Sequence, residues 1–159
     1  MAIDTHIKFD GIEGESTHVD HKGEVEVLSW SWGVSRAGAV HGGGGSSVGK
    51  AQPADLHIMH NYDRASPLLA KKCAQGVHFP TVVLTARKAG EGQKDFLKIT
   101  MKEVFITSVA PSGGSGGDIV ESVSMSYGQI DFSYKPQNET GALGGEVKFG
   151  WNVKTSVIT

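Results

Sequence analysis

The sequence predicts a mostly β chain: a small antiparallel β-barrel of two packed sheets, with one short α-helix and a long extended loop. Three observations predict it. Val and Ile together number 25 against 7 Leu, and β-branched side chains lose rotamer freedom on a helix but pack well on a pleated sheet. Apolar and polar residues alternate in several short segments, the period of a strand with one buried face. Glycine occupies 22 of 159 positions, about twice ordinary usage, as expected of a chain that turns often. The length fits one domain spanning 1–159.

The first strand is set by Ile3, Thr5, Ile7 and Phe9 alternating with Asp4, His6 and Lys8. A polar segment, 10–23, follows. Residues 24–34 form the next strand, but Val25 and Val27 lie on one parity and Leu28, Trp30, Trp32 and Val34 on the other, so a bulge or two-sided burial is expected. Residues 35–53 have no periodicity and are read as an excursion from the body. Leu56, Ile58 and His60 mark a third strand. Ser66 as N-cap, Pro67 at the first helical position and Gly76 as terminator frame the one helix. Residues 79–87 and 95–109 read as a hairpin about a turn at 89–94. In 118–134 the apolar parity changes from Val123, Met125 and Tyr127 to Ile130, Phe132 and Tyr134, which predicts a bulge at Gly128. Val147, Phe149, Trp151 and Val153 alternate along the last strand.

A formal net charge of −2 with both signs interspersed offers no basic footprint for phosphates, so nucleic acid is not an expected partner. Apolar runs such as Val82-Val83-Leu84 are far too short to span a bilayer. The opening residues 1–8 lack a basic segment followed by an apolar core, so no cleavable secretory signal is expected. A single cysteine, Cys73, cannot form an internal disulfide, which fits a reducing compartment.

No motif assembles into an active site, and neither an enzyme nor a cofactor is expected. Residues 44–51 nearly match the phosphate-binding loop, but Ala51 replaces the metal-binding hydroxyl, and Pro53 and a strand follow where a helix is required. Gly113-Gly114-Ser115-Gly116-Gly117 matches the nucleophile-elbow string, which needs a strand-to-helix turn, and here a strand follows. His57 and His60 lie three apart on a strand and so point to opposite faces, while His18 and His21 lie in a loop without further spaced ligands. Solvated histidines are therefore favoured over a metal site. Lys71 and Lys72 precede Cys73, and nearby cations can activate a thiol, yet a lone helical cysteine is more often a small apolar residue. A carbohydrate- or small-ligand-binding barrel would use Trp30, Trp32 and Trp151 as a stacking platform, whereas their strand periodicity favours core packing.

Residues 27–33 (VLSWSWG) followed by a glycine-rich loop, 87–90 (RKAG) and 145–152 (GEVKFGWN), together with 9–16 (FDGIEGES) and 104–109 (VFITSV), closely resemble the hemolysin-coregulated protein (Hcp) family. This is the inner-tube protein of type VI secretion systems, and the resemblance runs the full length. It implies a β-barrel with one helix, and six-membered rings of this chain stacked into a tube with a wide lumen. A contractile sheath would propel that tube out of the bacterial cytoplasm behind a spike protein. It also implies that effector cargo rides inside the ring. On this reading Ser29, Ser31, Ser122, Ser124 and Ser126, which alternate with large apolar groups, face the lumen and its cargo. Arg36, His41, Gly42, Gly43, Gly44, Gly45, Ser46, Ser47 and Lys50 lie on the excursion expected to touch the adjacent ring.

Overall fold

The computed structural model describes residues 2–38, 49–90 and 92–159. Among the described residues there are eleven strands and one helix: β1 Ile3–Phe9, β2 Val25–Val27, β3 Ser29–Ser31, β4 Val34–Ser35, β5 Gln52–Pro53, β6 Leu56–Asn61, α1 Ser66–Gln75, β7 Phe79–Lys88, β8 Asp95–Ser112, β9 Val120–Tyr134, β10 Val147–Asn152 and β11 Val157–Ile158. The chain is mostly β, as its β-branched composition requires.

The expected antiparallel, mostly β architecture with one short helix forms, but the barrel is not closed. Nine strands are hydrogen-bonded into one sheet in the order β11-β10-β9-β8-β7-β1-β2, with β6 attached to β9 and β3 to β6. Every pairing is antiparallel. The ladder does not close, because β2 pairs with β1 and β3 with β6. The gap between them is bridged by the chain at Leu28, whose N–H donates to the Met59 carbonyl at 2.7 Å. That step accounts for the changed apolar parity in 24–34.

β8 and β9 are the two longest strands, and each changes the face that it buries. Ile99 and Met101 are buried on one parity of β8 and Val104 and Ile106 on the other; β9 matches this with Ile130 against Val123 and Met125. The bulge expected at Gly128 is not there: the register runs unbroken from Lys102↔Gln129 to Val104↔Tyr127, and the shift falls between Ile106 and Ser108. The change of face comes instead from Glu103, opposite Gly128, whose φ of 52° is left-handed. A Cβ at Gly128 would stand 3.1 Å from Glu103 Oε2 and 3.3 Å from Lys154 Cε, so glycine leaves room for the Glu103–Lys154 ion pair. Beyond this point the sheet divides: one part is β1-β7, the first half of β8, the second half of β9 and β10; the other is β3-β6, the first half of β9 and the second half of β8.

The core lies between these parts, with Ile7, Phe9, Leu56, Ile58, Leu84, Ile99, Met125 and Ile130 among its buried side chains. α1 adds Leu69, and half-buried Cys73 packs against the core. The cap differs from expectation: Ala65 is the N-cap residue and makes no side-chain cap bond. Ser66 is the first helical residue, and its Oγ accepts from the Asp63 N–H at 3.0 Å. Gly76 terminates the helix at φ 66°. His60 and Glu121 form a buried pair inside the core, Nε2 to Oε1 2.8 Å.

Candidate functional site

Directly opposed residues of antiparallel strands share a face. Ser31 opposes His57, His57 opposes Ser124, and Ser124 opposes Ser108. One step along, Ser29 opposes Met59, Met59 opposes Ser122, and Ser122 opposes Ala110. Ser126 opposes Phe105. The five serines, two on β3 and three on β9, therefore lie on one face, which extends across β3, β6, β9 and β8. The opposite face of the same strands carries Leu56, Ile58, Val123 and Met125 into the core.

The face is open and nearly uncharged. Ser29, Ser31, His57, Ser108, Ala110 and Ser122 are exposed, Ser124 and Ser126 half-buried. Met59 at 39% and Phe105 at 42% exposure are its large apolar groups. His57 Nδ1 lies 2.6 Å from Ser124 Oγ. Asp55 lies two residues along the same strand face, and its Oδ2 accepts from Thr107 Oγ1 at 2.8 Å. β3 and the second half of β8 each lack a ladder partner on their outer side among the described residues.

The sequence pattern located the serines but missed His57, Met59, Phe105 and Ser108, which join them only through cross-strand register. Alternation within residues 56–61 and 104–110 was the available signal, since Leu56, Ile58 and His60 had already claimed the buried parity. His57 and His60 point to opposite faces, as strand geometry demands.

A second polar constellation lies on the other part of the sheet, where the segment 10–24 folds across β1 and β7. Arg87 is buried and donates through Nε to Asp95 Oδ1 at 2.8 Å and through Nη1 to Asp20 Oδ2 at 2.8 Å and the Gln93 carbonyl at 3.0 Å. His21 sits between Glu24 Oε2 at 2.7 Å and Asp95 Oδ1 at 3.0 Å, so it is buried rather than solvated as expected. His6 stacks on it, ring centroids 4.7 Å apart and planes 11° apart, with His18 at 5.4 Å. Burial, and then the neighbouring His21 and His18, push the His6 pKa down to about 4. Burial opposes the Asp95 charge, but hydrogen bonds from Arg87 and His21 outweigh it and hold that carboxyl below its ordinary value. Among the described residues no group of three or more His, Cys, Asp or Glu is arranged to hold a metal ion. The constellation ties the segment down on β1 and β7.

The base of the excursion is a ribbon, Val34 opposing Pro53 and Ser35 opposing Gln52. Arg36 is exposed, and its Nε donates to the Gly49 carbonyl at 2.8 Å; Lys50 is exposed beside it. His41, Gly42, Gly43, Gly44, Gly45, Ser46 and Ser47 lie outside the described residues, as does most of the phosphate-loop-like string. That string leads into β5, not a helix. Gly113 to Gly117 join β8 to β9, strand to strand. The tryptophans do not form a platform. Trp151 is in the core, and Trp32 is half-buried against Phe132, its Nε1–H donating to Tyr127 Oη at 2.6 Å. Trp30 is 36% exposed because β3 is an edge.

No helix among the described residues is long and apolar enough to cross a membrane. The family described as "Type VI secretion system effector, Hcp" matches residues 6–134. Protein hcp1 of Pseudomonas aeruginosa is 44% identical over 161 aligned residues, covering 99% of each chain. Among solved structures, a type six secretion system protein is similar at TM-score 0.93 and 32% identity, with 99% of this chain and 100% of that one covered. Hcp1 from Salmonella typhimurium is similar at TM-score 0.84 and 36% identity over the whole of both chains.

Proposed function

The chain belongs to the Hcp family of type VI secretion systems, and from that premise we propose that it is a tube subunit. In this reading the whole of 1–159 acts as one unit, six copies close into a ring, and the rings stack into a tube that leaves the bacterial cytoplasm. The observation that carries the proposal is the serine face with its two unpaired edges. Unpaired edges are templates for further pairing, and a closed ring satisfies them without open-ended aggregation. β3 of one copy and the second half of β8 of the next would then continue the sheet around the ring, and the serines would line the lumen.

A lining of small hydroxyls is wet and weakly adhesive, which suits a wall that carries effector cargo and releases it. The spike protein and contractile sheath are the remaining partners of such a tube. Ring-on-ring contact is assigned to the excursion from Arg36 to Lys50, because it leaves the sheet on its own ribbon. Neither chemistry nor a cofactor is part of the role.

Native mass and class-averaged electron micrographs test this directly. The expected result is a closed ring of six copies; a strict monomer at high concentration and moderate salt overturns it. Shortening the excursion across Gly42 to Ser47 is expected to leave ring mass unchanged and abolish tubes. A shortened variant that still stacks refutes the assignment of that segment, and one that no longer forms rings refutes its separation from ring closure.

A further inference from the structure

We propose that Tyr127 is the positioning residue of the excursion: its hydroxyl ties both feet of the ribbon to β9 and so sets the direction in which the segment leaves the sheet. The inference rests on the reading of that excursion as the ring-on-ring contact.

Among the described residues β4 and β5 form a two-stranded sheet of their own, separate from the nine strands of the body. Such a ribbon is marginal in water, so its bearing on the body depends on the residues where it begins and ends. Trp32 precedes it and Ala54 follows it. The Tyr127 hydroxyl stands between them, accepting from Trp32 Nε1–H at 2.6 Å and donating to the Ala54 carbonyl at 2.7 Å. The feet also meet directly, Ala54 N–H donating to the Gly33 carbonyl at 2.8 Å. One residue on, Asp55 accepts from Thr107 Oγ1 and holds the start of β6, so Ala54 is where ribbon and sheet part.

An indole N–H only donates and a carbonyl only accepts, so the group between them must do both. A phenol does; a phenyl ring does not. Tyr127 is half-buried against the core, and burial pushes its pKa up, which keeps the proton on the bond to Ala54. The Trp32 indole is steadied by Phe132, ring centroids 4.7 Å apart, and Phe132 by Phe149 at 5.8 Å. Farther out, Arg36 Nε donates to the Gly49 carbonyl at 2.8 Å and Gly49 N–H to the Ala37 carbonyl at 3.1 Å. A stalk ordered this far before it meets anything loses less freedom on docking.

The full chain and its Tyr127→Phe, Trp32→Phe and double variants are compared by native mass, by backbone amide exchange in single rings, and by counting tubes in micrographs under conditions where the parent forms them. Tyr127→Phe is expected to keep ring mass, to speed exchange of the Ala54 and Gly49 amides roughly tenfold through the loss of two hydrogen bonds, and to make tubes about tenfold scarcer. Trp32→Phe is expected to act the same way more weakly. The double variant is expected to be no worse than Tyr127→Phe, because both changes remove one shared bond; fully additive losses would mean two separate packing defects and overturn the proposal. Rings of Tyr127→Phe with parental exchange at Ala54 and Gly49 overturn it too, as do fast exchange and parental tubes together, and both leave the ring-on-ring reading standing. That reading falls instead if the excursion-shortened variant still stacks, and the link from Tyr127 to tubes falls with it. If Tyr127→Phe forms no rings, Trp32→Phe decides by the same measures, and loss of rings in both makes Tyr127 part of the core and refutes its positioning role.

Discussion

Two polar regions occupy the two parts of the sheet and treat charge oppositely. Around Arg87, six ionisable side chains, Asp20, His21, Glu24, Arg87, Asp95 and His6, are drawn together, mostly out of water; Arg87 and His21 have every side-chain nitrogen partnered, whereas His6 is stacked on His21 and its Nδ1 is buried without a partner. On the serine face the groups are small, neutral and in water, and His57 and Asp55 are its ionisable members. Buried polar groups are costly unless matched, so the first region is bound to this fold. Exposed hydroxyls cost almost nothing to keep or replace, so the second is free to be chosen for what it meets.

The contrast breaks most sharply at Arg87. Arg87→Met strands Asp95 and His21 without their cation and is expected to cost about 3–5 kcal/mol in urea unfolding, as breaking buried charge networks does. Acid provides the next test. With its pKa lowered to about 4 in the folded chain, His6 stays neutral where an unfolded histidine would bind a proton. Stability is therefore full above the unfolded value and lost as pH falls from about 6.5 to 4, by roughly 3 kcal/mol. His6→Gln should flatten that slope in melts across the window; an unchanged slope would assign it elsewhere. Glu103→Gly, at the point where the two parts meet, should stabilise by about 1 kcal/mol by relieving a left-handed residue, since the exposed ion pair it forfeits is worth little. Smallest of all, Ser29→Ala or Ser122→Ala should shift stability by less than about 0.5 kcal/mol. A loss well above that would mean the hydroxyl face is structural.

β6 was readable because one face is buried and period two survives in it throughout, whereas in β7 the four residues 84–87 are buried on both parities. Gly76 was readable because a left-handed terminator favours glycine. The change of parity in β9 was visible too, but its cause sits on another strand: a left-handed Glu103 leaves no mark in composition, and a glycine opposite it attracts the blame. The serine face was half legible. Serines alternating with Leu28, Trp30 and Met125 declare an exposed parity, whereas His57 joins them through register, which no local pattern encodes. The Arg87 constellation was illegible for the same reason. Its members come from residues 6, 20, 21, 24, 87 and 95, and in β1 the alternation of Asp4, His6 and Lys8 reads as a solvated edge until the segment 10–24 covers it. Periodicity places Trp30 in the core, and its exposure comes from the missing neighbour beyond β3, which nothing in its own strand encodes.

The left-handed turn at Glu103 also has a mechanical side. Since β8 and β9 each run through both parts of the sheet, the serine face is joined to the rest of the molecule by two continuous backbones and the ladder between them. A push or drag on that face is carried across the subunit as tension along covalent chain and shear along hydrogen bonds. The two parts of the sheet are thus tied by two continuous strands and cannot separate without breaking the ladder between them.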